Sequence, residues 1–318
     1  MRKATPILVF LFVLSCGLFS PFHAQSAGVE WDALQKKAQE LIRSGKFDRA
    51  LLVAQKALQV AEKRVGPNHP SVAYSLSVLG DIYASQGNYD SAEALYKRAL
   101  AVTEKLLGPD HPDVAYCLNN LGLLYKIRGD YDSAEPLHKR ALAIYKKAKG
   151  PNDTFVAYCL INLGNLYEKR GDYVSAEALY KRALAILEKA KGPKDTFVVY
   201  CLNNLGTLYY ARGDFASAEP LLKRALAINE KALGPDDHPD VTVSLLGLGT
   251  LYYARGDFAS AEPLFKRALA IYEKILGPDH PNVATCLENL ASIYRATKRI
   301  SEANALEKRA ARIRAIKR

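Results

Sequence analysis

The dipeptide Gly-Pro returns along the chain at a fixed step. Gly66-Pro67, Gly108-Pro109, Gly150-Pro151, Gly192-Pro193 and Gly234-Pro235 lie 42 residues apart, and Gly277-Pro278 follows after 43. A period of this length constrains the fold more than composition does, because each period is one supersecondary unit that must stack on its neighbours. The single extra residue falls in Gly234-Pro235-Asp236-Asp237-His238-Pro239, set against Gly108-Pro109-Asp110-His111-Pro112. Only a loop has grown.

Aligned on the period, one column reads Leu79, Leu121, Leu163, Leu205, Leu248, Leu290, and the next reads Gly80, Gly122, Gly164, Gly206, Gly249, Ala291. Leucines stand three positions before the first column, and Tyr83, Tyr125, Tyr167, Tyr209, Tyr252 and Tyr294 stand four after it. This i, i+3, i+7 spacing predicts one apolar stripe on a first helix of each unit. Gly87-Asn88, Gly129-Asp130, Gly171-Asp172, Gly213-Asp214 and Gly256-Asp257 then end it, Gly by the left-handed conformation and Asn or Asp by capping the next helix. Alanine columns at Ala92, Ala134, Ala176, Ala218, Ala261, Ala303 and at Ala99, Ala141, Ala183, Ala225, Ala268, Ala310 give the second helix a small-residue contact face. Neither helix of a pair can bury its apolar face alone, so the expected fold is all-α and stacked.

Composition agrees and excludes other classes. Of 318 residues 49% are hydrophobic and 24% charged, which is neither a disordered polymer nor a chain of many membrane spans. Five cysteines fit no disulfide-stapled mini-protein. The net charge of +11 favours acidic partners without naming one.

The first residues are a separate object. Arg2 and Lys3 precede an apolar run from Ile7 to Phe19, and no acidic side chain occurs before Glu30. The pattern is that of an export signal, with Ala24-Gln25-Ser26 placing small residues for cleavage before Ala27. Two alternatives stand beside it. Val13-Leu14-Ser15-Cys16 has the form of a lipoprotein signal that acylates Cys16, and the uncharged stretch from Ala4 to Val29 is long enough for an uncleaved anchor. The expected location is therefore periplasmic or secreted, with membrane attachment only through such an anchor or a lipidated Cys16.

Leu121, Gly122, Tyr125, Ala134 and Ala141 together form a pattern that resembles the tetratricopeptide repeat. The segments Gly108 to Ala115 and Leu118 to Leu121 are similar to the 42-residue repeats of kinesin light chains and their bacterial relatives. The resemblance implies a right-handed α-solenoid of about seven tetratricopeptide helix pairs over 27–318. Its units are 31–66, 67–108, 109–150, 151–192, 193–234, 235–277 and 278–318. It further implies a binding mode in which the first helices line a concave groove that holds an extended peptide or a partner protein. The chain lacks the heptad coiled coil with which kinesin light chains join their motor, so a motor role is not carried over. The last unit replaces the turn glycine by Lys298 and ends in a polar helix from Glu302 to Arg318, as a cap would.

No residue pattern calls for catalysis. There is no nucleophile elbow, phosphate-binding loop or pair of catalytic carboxylates, and neither enzyme nor cofactor is expected. His69, His111, His238 and His280 share a column with Asp153 and Asp195. Both residue types accept a hydrogen bond from a helix N-terminal amide, so helix capping is expected rather than a metal ladder. Cys117, Cys159, Cys201 and Cys286 fill another column as small helix residues, with no Cys-x-x-Cys pair for zinc or redox work. Lys97-Arg98, Lys139-Arg140, Lys181-Arg182, Lys223-Arg224, Lys266-Arg267 and Lys308-Arg309 form a basic ladder. Glu93, Glu135, Glu177, Glu219 and Glu262 stand four residues ahead of the lysines, which predicts a self-paired outer face and no nucleic-acid partner.

The remaining face of the first helix, at about 100° per residue, carries the candidate site. Opposite the core stripe stand Tyr116 and Asn120 with Asn119 to one side, then Tyr158, Asn162 and Asn165, then Tyr200, Asn203 and Asn204. Amide side chains offer donors and an acceptor that match an extended peptide backbone, and the tyrosines supply anchors. The competing reading is that the asparagine at Asn120 braces helix packing. The second function class is a structural or self-associating solenoid without a peptide ligand.

Overall fold

The structure is a computed structural model, and it describes residues 27–235 and 238–316. The expectations on the export signal, on Cys16 and on Asp236 and Asp237 fall outside the described residues. Fourteen helices account for the described chain, in the order α1 (Val29–Arg43), α2 (Phe47–Val65), α3 (Pro70–Ser85), α4 (Tyr89–Leu107), α5 (Pro112–Ile127), α6 (Tyr131–Lys149), α7 (Thr154–Lys169), α8 (Tyr173–Lys191), α9 (Thr196–Ala211), α10 (Phe215–Leu233), α11 (Pro239–Ala254), α12 (Phe258–Leu276), α13 (Pro281–Ala296) and α14 (Ile300–Ala315). The fold class is an all-α solenoid of helix pairs. The chain forms two compact units, Met1–Asp172 and Tyr173–Arg318, and the boundary falls between α7 and α8.

Local chemistry sets the helix ends. Gly87 and Gly129 take φ near +79°, and the amides of Asn88 and Asp130 close the turn onto the carbonyls of Tyr83 and Tyr125 at 2.9 Å. Lys298 adopts φ +62° in the place of that glycine, an uncommon backbone for a residue with a Cβ. The expected caps are present: Asn88 Oδ1 accepts from the Ser91 amide at 3.2 Å and Asp257 Oδ1 from the Ser260 amide at 3.1 Å. At the other helix starts, Nδ1 of His69, His111, His238 and His280 accepts from the amide two residues on, each at 3.2 Å. Asp153 and Asp195 do the same at 2.8 and 2.9 Å. The histidine column is thus a set of helix caps, and among the described residues no group of three His, Cys, Asp or Glu is placed to hold a metal ion.

In unit 1, α3 packs with α4 and α5 with α6, and each second helix also packs on the first helix of the next pair. The alanines Ala92, Ala99, Ala134 and Ala141 are completely buried where the helices cross. First helices approach each other directly, α3 to α5 and α5 to α7, and second helices come less close. The first helices therefore lie on the inner side of the curve. Unit 2 repeats this, with α9 meeting α11 and with Ala218, Ala225, Ala261 and Ala268 fully buried.

The outer basic ladder pairs with acids, and its network reaches further than one helix. Lys97, Lys139, Lys181, Lys223 and Lys266 meet the glutamate four residues before them at 2.6 to 2.8 Å. The same glutamates accept from the tyrosine of the next pair: Tyr125 to Glu93, Tyr167 to Glu135 and Tyr209 to Glu177, each at 2.8 Å. The arginine after that helix adds a further contact, as in Arg128 with Glu93 and Arg212 with Glu177. The tyrosine column, read from spacing as part of the apolar stripe, sends its hydroxyls to the neighbouring pair. Exposed pairs of this kind are worth only about 0.2 to 1 kcal/mol each, so they fix register more than they stabilise.

Candidate functional site

The inner face is built from the first helices, and the structure divides the nine candidate residues. In unit 1, Tyr116 and Asn120 lie on the inner side of α5 but are buried, at 9% and 7% exposure, which corrects the expectation that they are exposed. The reason is the close approach of successive first helices, and α3 is buried without interruption from Pro70 to Ile82. The side chain of Asn120 is left with its Nδ2 buried and without a hydrogen-bond partner. Tyr158, Asn162 and Asn165 on α7 are half-buried. Asn119 is half-buried and engaged by neighbouring helices. Its Nδ2 donates to Cys159 Sγ of α7 at 3.2 Å and its Oδ1 meets His138 Nδ1 of α6 at 2.9 Å, so both ends of the amide are engaged. With Asn119 Nδ2 donating to sulfur, the carbonyl end accepts and His138 Nδ1 carries the proton.

His138 belongs to a column that helical spacing alone does not single out. It faces the glycine column, and a Cβ at Gly122 would lie 2.8 Å from the His138 ring. Tyr96 takes the same place against Gly80 in the pair before, where its hydroxyl donates to Asp81 Oδ1 at 2.6 Å. Burial, with a smaller contribution from Lys126, holds the His138 imidazole down at about 3, so it is neutral at ordinary pH. Lys126 itself is pushed down to about 8, first by burial and then by the neighbouring Lys169. The identity of this column could have been noticed in the sequence, because it changes from Tyr96 to His138 to Tyr180 to Leu222 to Phe265 between two invariant alanine columns.

In unit 2, Tyr200, Asn203 and Asn204 of α9 are all half-buried on the inner face. Burial, and then Asp240, raises the Tyr200 phenol well above its ordinary value. Asn203 Nδ2 reaches Ser244 Oγ of α11 at 3.5 Å, the counterpart of the contact from Asn119 to Cys159. Here the second helix supplies Leu222 in place of His138, and Leu222 has no polar atom to offer. Asn203 Oδ1 is accordingly buried without a partner. One carbonyl is tied in unit 1 and its equivalent is left open in unit 2.

The remaining chemistry is structural. Cys117, Cys159, Cys201 and Cys286 are buried free thiols, and burial pushes each to about 12, so they stay protonated at ordinary pH. No helix among the described residues is long and apolar enough to cross a membrane.

A family model for the tetratricopeptide repeat matches residues 33–105, 79–147, 124–189, 153–231, 195–274 and 240–315. The chain belongs to the tetratricopeptide repeat family. Its repeats are of the kinesin-light-chain type. Among solved structures, BtubC (BKLC) from P. vanneervenii is similar at 28% identity and a TM-score of 0.57, covering 77% of this chain and 93% of that one. A putative kinesin light chain from Podosopora anserina, with nearly identical TPR-like repeats, is similar at 26% identity and a TM-score of 0.53, covering 65% of this chain and 97% of that one. A Rap protein complexed with Competence and Sporulation Factor shares the fold, with a TM-score of 0.66 at 16% identity over 92% of this chain and 77% of that one. No curated protein sequence matches the chain. Tetratricopeptide repeat proteins generally mediate protein–protein interaction and are typically scaffolds without catalytic activity.

Proposed function

We propose that this tetratricopeptide repeat protein is a non-enzymatic adaptor that holds an extended peptide, or an extended segment of a partner protein, against the inner face of its first helices. The observation that carries this reading is the pair of buried amide groups without partners, Asn120 Nδ2 in unit 1 and Asn203 Oδ1 in unit 2. A buried donor or acceptor left unsatisfied costs about 1 to 3 kcal/mol, and a peptide backbone supplies both complements. The half-buried Tyr158, Asn162 and Asn165 add polar and aromatic groups to the inner face within unit 1, and Tyr200 and Asn204 do so within unit 2. The residues 1–26 support export to the periplasm or the medium, by cleavage before Ala27 or by acylation of Cys16.

Selection from a random peptide display library on the full chain supplies a ligand whatever the natural partner is. The reading expects that a variant combining Asn120→Ala, Asn162→Ala and Asn204→Ala loses affinity for the selected peptides, at about 1 kcal/mol or roughly fivefold per amide. A control with Lys139→Ala and Lys181→Ala on the outer ladder should bind as the parent does. Peptides that survive the inner-face variant and are lost with the outer-ladder variant would move the site to the basic outer face. Mass analysis of the purified protein tests export separately, and an intact Met1 in the cytoplasm would contradict it.

A further inference from the structure

The turn from each first helix to its second helix carries an arginine column, and the acids that meet it change along the chain. Arg128 is met by Asp90 at 3.1 Å and by Glu93 at 2.7 Å, and Arg170 by Asp132 and Glu135. One pair earlier the aspartate and arginine columns read Asp48 and Gln86, joined at 3.0 Å. In unit 2 the aspartate column reads Val174, Ala216 and Ala259. Thr297 stands in the arginine column opposite Ala259, so there both partners have changed together. Arg212 and Arg255 have kept the arginine and lost the aspartate. Each holds one glutamate through Nη1, Glu177 at 2.6 Å and Glu219. They are 42% and 43% exposed, against 36% and 29% for Arg128 and Arg170, so the edge that the aspartate would cover is open to water.

A hollow of about 570 Å³ opens beside Arg255, lined by Gly213, Asp214, Phe215, Ala216 and Glu219. We propose that Arg212 and Arg255 form a docking edge for the carboxylates of an acidic protein segment, each arginine taking from a partner the group that Asp90 and Asp132 supply within the chain in unit 1. The unit 1 pairs are the template, since there a carboxylate at this place meets the arginine beside the same glutamate. The acids that line the hollow are already engaged. Asp214 Oδ1 accepts from the Ser217 amide at 3.1 Å, and Glu219 meets Lys223 at 2.8 Å, Tyr252 at 3.0 Å and Arg255. In unit 1, Asp90 and Glu93 together balance Arg128 and Lys97. In unit 2, Glu177 alone serves Lys181 and Arg212, and Glu219 alone serves Lys223 and Arg255. Each of these two pairs lacks a negative charge for which the fold has a place. A guanidinium with an open edge accepts a carboxylate in a fixed orientation, which gives such an edge selectivity beyond its charge. The edge shares no residue with the inner face.

The test writes the missing acids back. The probe is a fluorescently labelled hexaglutamate peptide, titrated on the full chain by anisotropy at about 20 mM salt, where exposed charges are least screened. Val174→Asp with Ala216→Asp should close both edges and weaken the probe by about five- to tenfold. Gln55→Glu with Gln59→Glu adds the same charge at exposed positions of α2 and should change the affinity by less than about twofold. Asn162→Ala with Asn204→Ala on the inner face should likewise stay within about twofold. Equal weakening by the two acidic double variants would overturn the proposal, since binding would then follow overall charge alone. An unchanged affinity in Val174→Asp with Ala216→Asp would overturn it too, as would loss of the probe in the inner-face variant. Val174 is 75% exposed and Ala216 is exposed, so the proposal requires the first variant to keep the parent's helical circular dichroism, and loss of helix there would also contradict it.

Discussion

The helix pairs of unit 1 and the α9–α12 pairs of unit 2 use the same column for different ends. In unit 1 the residue that faces the helix glycine is polar, Tyr96 on Gly80 and His138 on Gly122, and its polar atom reaches forward to hold Asp81 or Asn119. In α10 and α12 of unit 2 the residue is apolar, Leu222 on Gly206 and Phe265 on Gly249, while Tyr180 of α8 and Glu307 of α14 keep the column polar. The apolar residue fills the same space and holds nothing. The glycine makes both choices sterically equal, since a Cβ at Gly80 or Gly206 would stand 2.6 or 2.7 Å from the incoming side chain. What differs is whether a neighbouring inner-face group is already satisfied. A fold that tolerates either residue can therefore set, pair by pair, which amides are available to a ligand and which only brace the stack.

The largest effect should come from the apolar version of the column. Phe265→Ala removes a side chain that is 2% exposed and should destabilise unit 2 by about 3 to 5 kcal/mol in chemical denaturation followed by helical circular dichroism. A loss below 1 kcal/mol would mean that unit 2 does not depend on filling the column. Tyr96→Phe asks the complementary question in unit 1, because it keeps the ring and removes only the hydroxyl bond to Asp81. Leaving a buried acceptor without its donor sets the expected cost at about 1 to 3 kcal/mol.

A pH series isolates His138. Burial holds its folded-state value at about 3 against the ordinary 6.5, so the unfolded chain takes up a proton that the folded chain refuses. Stability from this group is whole above pH 6.5 and falls as pH drops toward 3. Between pH 7 and pH 5 the loss should be about 2 kcal/mol, following the linkage slope of about 1.4 kcal/mol per pH unit. His138→Leu, which writes the unit 2 residue into unit 1, should remove that part of the pH dependence. Equal slopes for parent and variant would break the assignment. The smallest effect belongs to the outer ladder, where Lys139→Ala or Lys181→Ala should each change stability by about 0.2 to 0.5 kcal/mol, less at high salt.

Much of this was legible in the sequence because the period repeats each signal several times. The helix pairs, the left-handed turn glycines, the alanine crossings and the histidine caps each follow from one residue type at one column. The outer ion pairs were legible for the same reason, since Glu93 and Lys97 are neighbours on one helix. The placement of Asn119 was not, because its partners are 19 and 40 residues away, on α6 and α7. Helical spacing places Asn119 on a flank of the inner face and says nothing about whether a second helix presents His138 or Leu222 to it. The burial of Tyr116 and Asn120 was also beyond the pattern, since it depends on how closely successive first helices approach.

The most direct test compares the equivalent amides of the two units. A display-selected peptide is titrated against the parent, Asn119→Ala and Asn203→Ala under one salt and pH. Asn203 has an open buried carbonyl and should contribute to binding, so Asn203→Ala should weaken it by about 1 kcal/mol, or roughly fivefold. The Asn119 amide donates to Cys159 and its carbonyl is held by His138, so its loss should leave the affinity within about twofold, a change near the scatter expected of uninvolved positions. Equal losses at both positions, or a loss at Asn119 alone, would contradict the claim that the facing column decides which inner amides are free to bind.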